Sequence, residues 1–146
     1  IALSWLSDEL GLKFNWFDNI MKQREVQTEW LADMIEKESN GLPITILGKS
    51  FKPQTNITTG SPSILLSNIL RERGLSAIMY DPYIDEPFDD WQDMSEYDGV
   101  PQCYFIGTKH EDFVNFPFDD ESIIIDPWRY IPDKEGCKVI RIGDNN

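Results

Sequence analysis

Hydrophobic positions along the chain follow two different rhythms. Ala2, Leu3, Leu6 and Leu10 recur at helical spacing up to Gly11, which predicts a short amphipathic helix closed by a glycine. A longer helix is predicted next, capped by Asn15 or Asp18 and carrying Phe17, Ile20, Met21, Gln27, Trp30, Leu31, Met34 and Ile35 along one stripe that ends near Asn40 and Gly41. Gln23, Arg24 and Gln27 interrupt the stripe, so it suits packing on another domain or subunit as much as on a closed core.

From Leu42 onward short β-branched runs alternate with helical stretches. Residues 44–47 predict a strand, 63–73 a helix, 77–80 a strand, and an acidic segment follows. Residues 103–106 predict another strand, 111–116 a short helix, 122–125 a strand and 138–141 a last one. Strand runs without polar alternation are what a parallel sheet covered on both faces requires. The expected architecture is an α/β domain with a doubly wound, mainly parallel sheet and right-handed crossovers, preceded by a helical segment with one long helix. The expected division is a helical segment over residues 1–41 and an α/β domain over residues 42–146.

Composition narrows the functional classes. The chain has 146 residues, 40% of them hydrophobic and 12% aromatic, enough for the core of one ordinary domain. Thirteen basic against twenty-six acidic side chains leave a net charge of −13, which repels nucleic-acid backbones and anionic membrane surfaces. No apolar run reaches the roughly 18 residues of a membrane span, and the amino end lacks a signal-peptide pattern. Cys103 and Cys137 stand 34 positions apart with a single histidine, His110, in the chain, so a zinc cluster is excluded. Both cysteines border apolar runs and are expected to be reduced packing residues of a cytoplasmic protein. The chain begins in helical pattern without a methionine and reads as a piece of something longer. Residues 81–98 hold eight acidic side chains, but neither an EF-hand spacing nor a regular carboxylate pattern, so a solvated loop with a short helix at Trp91 is expected rather than a metal site.

Ligands of open α/β sheets settle beyond the carboxyl ends of the strands. The first predicted strand runs into Gly48-Lys49-Ser50-Phe51-Lys52-Pro53, where glycine permits a tight exit and Lys52 places a cation beside the ring of Phe51. Ser61 and Pro62 suit the N-cap and first position of the next helix, whose start is a natural anion seat. The second strand ends at Tyr80-Asp81-Pro82 and the fourth at Ile125-Asp126-Pro127-Trp128-Arg129. An arginine just past a strand end suits a forked contact with phosphate or ribose, and it suits equally a surface pair with one of the many carboxylates. Neither Gly-x-Gly-x-x-Gly nor a phosphate-loop pattern is present, so NAD is not expected to bind this chain.

Taken in order, residues 46–55, Gly60-Ser61-Pro62-Ser63, Gly74, Tyr80-Asp81-Pro82, residues 108–113 and residues 125–129 resemble the C-terminal, Rossmann-like domain of the UDP-glucose and GDP-mannose dehydrogenases. The resemblance is close over residues 44–131, and residues 1–40 are similar, more loosely, to the family's middle domain and connecting helix. It implies the nucleotide-sugar (UDP) binding part of an NAD-dependent 6-dehydrogenase that oxidises a sugar hydroxymethyl group to a carboxylate. By the same resemblance Phe51 and Lys52 match the Phe-Lys pair at the nucleotide site, and Arg129 matches an arginine that contacts the nucleotide sugar.

The family's Gly-x-Gly-Gly-x-Cys motif does not occur here, and Cys103 and Cys137 do not match it, so no catalytic, cofactor-binding or metal residue is assigned. The resemblance places NAD on a domain of the parent enzyme that would precede this chain, and implies a homodimer through the long helix and a role in making a uronic acid for a surface polysaccharide. The pattern departs from the family at Asn56, Ile57 and Thr59, where two acidic residues and an arginine are usual. That departure keeps open an alternative, a non-catalytic nucleotide-binding or dimerisation module that retained the fold.

Overall fold

The structure, a computed structural model, describes residues 2–84 and 99–143. The short helix expected at Trp91 and most of the acidic segment lie outside the described residues. Helix α1 spans Ala2–Glu9 and α2 spans Trp16–Glu38. Strand β1 (Ile44–Leu47) is followed by α3 (Pro62–Glu72), β2 (Ala77–Tyr80), β3 (Cys103–Ile106), a 3-10 turn (Glu111–Asn115), β4 (Ile123–Asp126) and β5 (Lys138–Arg141). Every expected strand is present within one residue, and the short helix at 111 is the tighter 3-10 form.

The five strands form one sheet in the order β2-β1-β3-β4-β5, and every neighbouring pair is parallel. This is the doubly wound arrangement in which strand order reverses between β1 and β3. Side chains alternate between two apolar layers, as the pleat demands. Ile44, Ile46, Ala77, Met79, Cys103, Phe105 and Ile125 pack with Ala32 and Ile35 of α2 and with Leu66, Ile69 and Leu70 of α3. Leu47, Tyr104, Ile106 and Ile124 pack instead with Phe113, Phe118 and Ile131. Burial on both faces accounts for strands that read without regular polar alternation.

Asn15 caps α2 by accepting from the Asp18 N–H at 3.0 Å, and Ser61 caps α3 by accepting from the Ser63 N–H at 3.2 Å, with Pro62 following. The buried line of α2 is Thr28, Ala32 and Ile35, with Leu31 and Met34 beside it. Much of the expected stripe lies elsewhere: Ile20 is 51% and Trp30 45% exposed. Length explains Ile20, whereas Trp30 lies off the buried line, on the wall of a cleft. A helix of 23 residues runs about 35 Å, whereas four-residue strands run only about 13 Å, so the amino half of α2 overhangs the sheet. Helix α1 packs against α2, with Leu3, Trp5 and Leu6 exposed and Ser7 its one buried residue.

Arg73, at the end of α3, faces Glu29, Asp33 and Glu36 on successive turns of α2, with contacts of 2.7 Å to Asp33 and 3.3 Å to Glu36. Lys138 of β5 reaches Glu38 at 2.9 Å. Both ends of the helical layer are thus tied by charge over an apolar centre. Leu70 is fully buried at that centre. Leu70→Ala leaves a cavity there and should lower stability by about 2–5 kcal/mol, read as an earlier urea midpoint with an unchanged slope.

Candidate functional site

The carboxyl ends of β1, β3 and β4 converge where strand order reverses, and the loops leaving them are held by two buried aspartates. Asp81, just past β2, accepts from the Lys49 and Ser50 N–H groups through Oδ2, both at 2.8 Å, and from the Tyr83 N–H through Oδ1 at 2.9 Å. Burial pushes its carboxyl up, but the backbone donors of Ser50, Tyr83 and Lys49 and the nearby His110 outweigh this and hold it below the ordinary carboxylate range. Asp126, the last residue of β4, accepts four backbone N–H groups. Trp128 and Arg129 bond Oδ1, both at 2.9 Å, while Tyr130 and Ile131 bond Oδ2 at 2.7 and 2.8 Å. Arg129 is held there at a φ of 58°, a left-handed conformation uncommon outside glycine.

His110 joins the two loops. Its Nδ1 accepts from the Gln54 N–H at 3.3 Å, which places the ring hydrogen on Nε2, between Ser50 Oγ at 3.0 Å and Asp81 Oδ2 at 3.2 Å. Ser50 Oγ in turn donates to the Lys52 carbonyl at 3.0 Å, and Thr108 Oγ1 donates to the Ser50 carbonyl at 2.6 Å. The Tyr130 hydroxyl donates to the His110 carbonyl at 2.9 Å. Although serine, histidine and aspartate meet here, the aspartate and the serine share one imidazole nitrogen. A proton relay needs them on opposite nitrogens, so the cluster is a clamp rather than a nucleophile.

The three residues singled out in the sequence all sit on clamped loops. Phe51 and Lys52 stand at the surface of the β1 exit, with the Lys52 ammonium 5.2 Å from the Phe51 ring centre. Arg129 lies on the β4 exit and donates through its guanidinium to the Ile142 carbonyl at 3.2 Å. Lys52 and Arg129 belong to one hydrogen-bonded unit, through Ser50, His110 and Tyr130. Sequence reasoning missed Lys109, whose ammonium lies 5.4 Å from the Tyr130 ring centre and adds a cation at the β3 exit. It also missed His110 and both aspartates as organising groups. The repeated Asp-Pro step after β2 and within the β4 exit, which favours side-chain-to-backbone turns, was the available signal.

Gly48 and Gly107 let these exits approach each other. Gly48 has a φ of +100°, and a side-chain carbon there would come within 2.5 Å of Thr108, so any other residue is excluded. The stretch from 48 to 61 between β1 and α3 is no tight strand-turn-helix, and Asp81, at the position where a dinucleotide fold presents an acid to ribose, is consumed by backbone donors. Cys103 is buried in the sheet with its thiol pushed up to about 12, mainly by burial, and burial also raises Cys137. Among the described residues no group of three His, Cys, Asp or Glu side chains could hold a metal ion, and no helix is long and apolar enough to cross a membrane.

A UDP-glucose dehydrogenase from Pyrobaculum islandicum superposes with a TM-score of 0.70 at 20% identity, over 92% of this chain and 33% of that one. A GDP-mannose dehydrogenase from Pseudomonas aeruginosa gives 0.69 at 16% identity, over 94% and 36%. The UDP-N-acetyl-mannosamine dehydrogenase of Staphylococcus aureus gives 0.65 at 20% identity, over 80% and 31%. The chain shares its fold with part of these nucleotide-sugar dehydrogenases. It spans about a third of the length of each. No protein-family model matches the chain, and no curated protein does.

Asp126→Ala strands four backbone donors in a fully buried pocket and should lower stability by at least about 3 kcal/mol by urea unfolding. Asp81→Asn should lose roughly 2–4 kcal/mol at neutral pH. Because the folded carboxyl titrates below its ordinary 3.8, its stabilisation is complete above that value and fades as pH falls further, so the gap between Asp81→Asn and the parent should narrow below pH 3.8. A gap independent of pH would remove the charge from this account.

Proposed function

We propose that this chain is the nucleotide-sugar-binding part of an NAD-dependent nucleotide-sugar 6-dehydrogenase of the UDP-glucose type. The observation that carries the reading is the coincidence of two independent features. The fold superposes on the UDP-glucose dehydrogenase over 92% of this chain, and the residues chosen from sequence, Phe51, Lys52 and Arg129, lie on the mutually clamped exits of β1 and β4.

In this reading residues 42–146 form the binding domain. Lys52 supplies a point charge to the diphosphate, Arg129 a forked donor to phosphate or ribose, and Phe51 an exposed ring wall. Pre-ordering the loops through Asp81, His110 and Asp126 lowers the entropy lost on binding. NAD supplies the hydride acceptor of such an enzyme and belongs to a part of the parent protein other than this chain. Residues 1–41 serve assembly: Trp16, Ile20, Val26 and Trp30 of α2 are exposed apolar side chains of the kind a homodimer covers. A cytoplasmic setting, where nucleotide sugars are made, completes the reading.

Calorimetric titration of UDP-glucose, GDP-mannose and UDP into the intact protein tests the assignment. Lys52→Ala, an exposed position, should fold normally and weaken the preferred nucleotide about tenfold or more. Unchanged affinity would sink the role of Lys52. Binding without any NAD-dependent oxidation by the intact protein would favour the non-catalytic module, for which the exposed Asn56 and Ile57 speak.

A further inference from the structure

Three buried side-chain N or O atoms among the described residues have no hydrogen-bond partner: Ser7 Oγ, Arg24 Nε and Ser63 Oγ. Arg24 and Ser63 line the same cleft, a space of about 340 Å³ between α2, the start of α3 and the ends of β3 and β4. That volume falls within the roughly 300–1,000 Å³ of small-ligand sites. Trp30, Leu66, Phe105 and Trp128 make its walls largely apolar.

The polar groups of this cleft agree in sign. Arg24 Nε is obligatorily a donor, and a serine hydroxyl that lacks a partner is free to donate. The other end of the guanidinium donates to the Gly60 and Ser61 carbonyls at 3.3 and 3.4 Å, which holds Arg24 against the start of α3. The positive end of the α3 dipole lies there as well. Gly107 keeps the floor bare, since any side chain would strike Ser63 Oγ and the Gly48 carbonyl. In a protein of net charge −13, a cleft walled by a guanidinium whose Nε has no partner is a place where an anion is favoured. It also adjoins the candidate grip, because Ile142 lines the cleft and its carbonyl accepts from Arg129.

We infer that a phosphate oxygen of the nucleotide ligand seats in this cleft on Ser63 Oγ and Arg24 Nε, while Lys52 and Arg129 hold the remainder of the diphosphate from the strand ends. The inference rests on the nucleotide reading above for the identity of its ligand, and on the cleft itself for the position of the anion.

Ser63→Ala and Arg24→Lys test it in the intact protein, by melting temperature without ligand and by titration with UDP and, separately, inorganic pyrophosphate. Without ligand, Ser63→Ala should melt at or above the parent, because it deletes a buried hydroxyl that has no partner. UDP should bind about fivefold more weakly to Ser63→Ala and about tenfold more weakly to Arg24→Lys, which keeps the charge but not the fork. A clear loss of melting temperature in unliganded Ser63→Ala, or parental UDP affinity in both variants, would overturn the seat. UDP binding that responds to Lys52→Ala but to neither cleft variant keeps the nucleotide reading and removes the seat. Pyrophosphate binding that responds to Arg24→Lys, with no binding of UDP, keeps the seat and removes the nucleotide reading. Silence with both probes removes both.

Discussion

Two buried aspartates matched by backbone N–H donors organise the carboxyl edge of this sheet. Burying an ionised carboxyl is unfavourable unless its oxygens are matched, and here backbone N–H groups supply the match. Asp81 takes three and Asp126 four, each from the loop that leaves a strand. The exchange is mutual, because those N–H groups belong to irregular segments with no ladder to join. The loops therefore acquire one conformation without regular secondary structure, and Arg129 is kept in a left-handed conformation it would not otherwise choose.

This constraint sets what the edge can bind. In the dinucleotide version of the fold an acid after the second strand faces the ligand, whereas here Asp81 faces its own backbone. The edge that remains carries cations on mobile stems over rings, Lys52 on Phe51 and Lys109 on Tyr130, together with Arg129. Asp81 and Asp126 turn inward at this edge, while Asp112 stays exposed and accepts from the Tyr83 hydroxyl at 3.2 Å. The helical layer adds a second constraint by charge, with Arg73 of α3 held against three acids of α2.

Strands were legible because the sheet is covered on both faces. Ile44–Leu47 and Cys103–Ile106 are buried at every position, so nearly all their side chains are apolar, and the hydroxyl of Thr45 is satisfied by Gln102. The caps at Asn15 and Ser61 were legible because their partners lie within three residues. The face of α2 was read less well. Its interrupted stripe mixes residues that meet the sheet with residues that overhang it, and the boundary depends on strand length, which helical periodicity does not carry.

By itself the sequence determined the order and type of the elements, the parallel character of the sheet, and the placement of Phe51, Lys52 and Arg129 at strand ends, because these follow from local period and from burial on two faces. Only the tertiary structure decided what surrounds them. His110 meets Ser50 across 60 positions, Arg24 meets Ser61 across 37, and Asp81 meets Lys49 across 32. Such pairs are set by which strand lies beside which, and a chain reveals that order only once its parallel crossovers have closed.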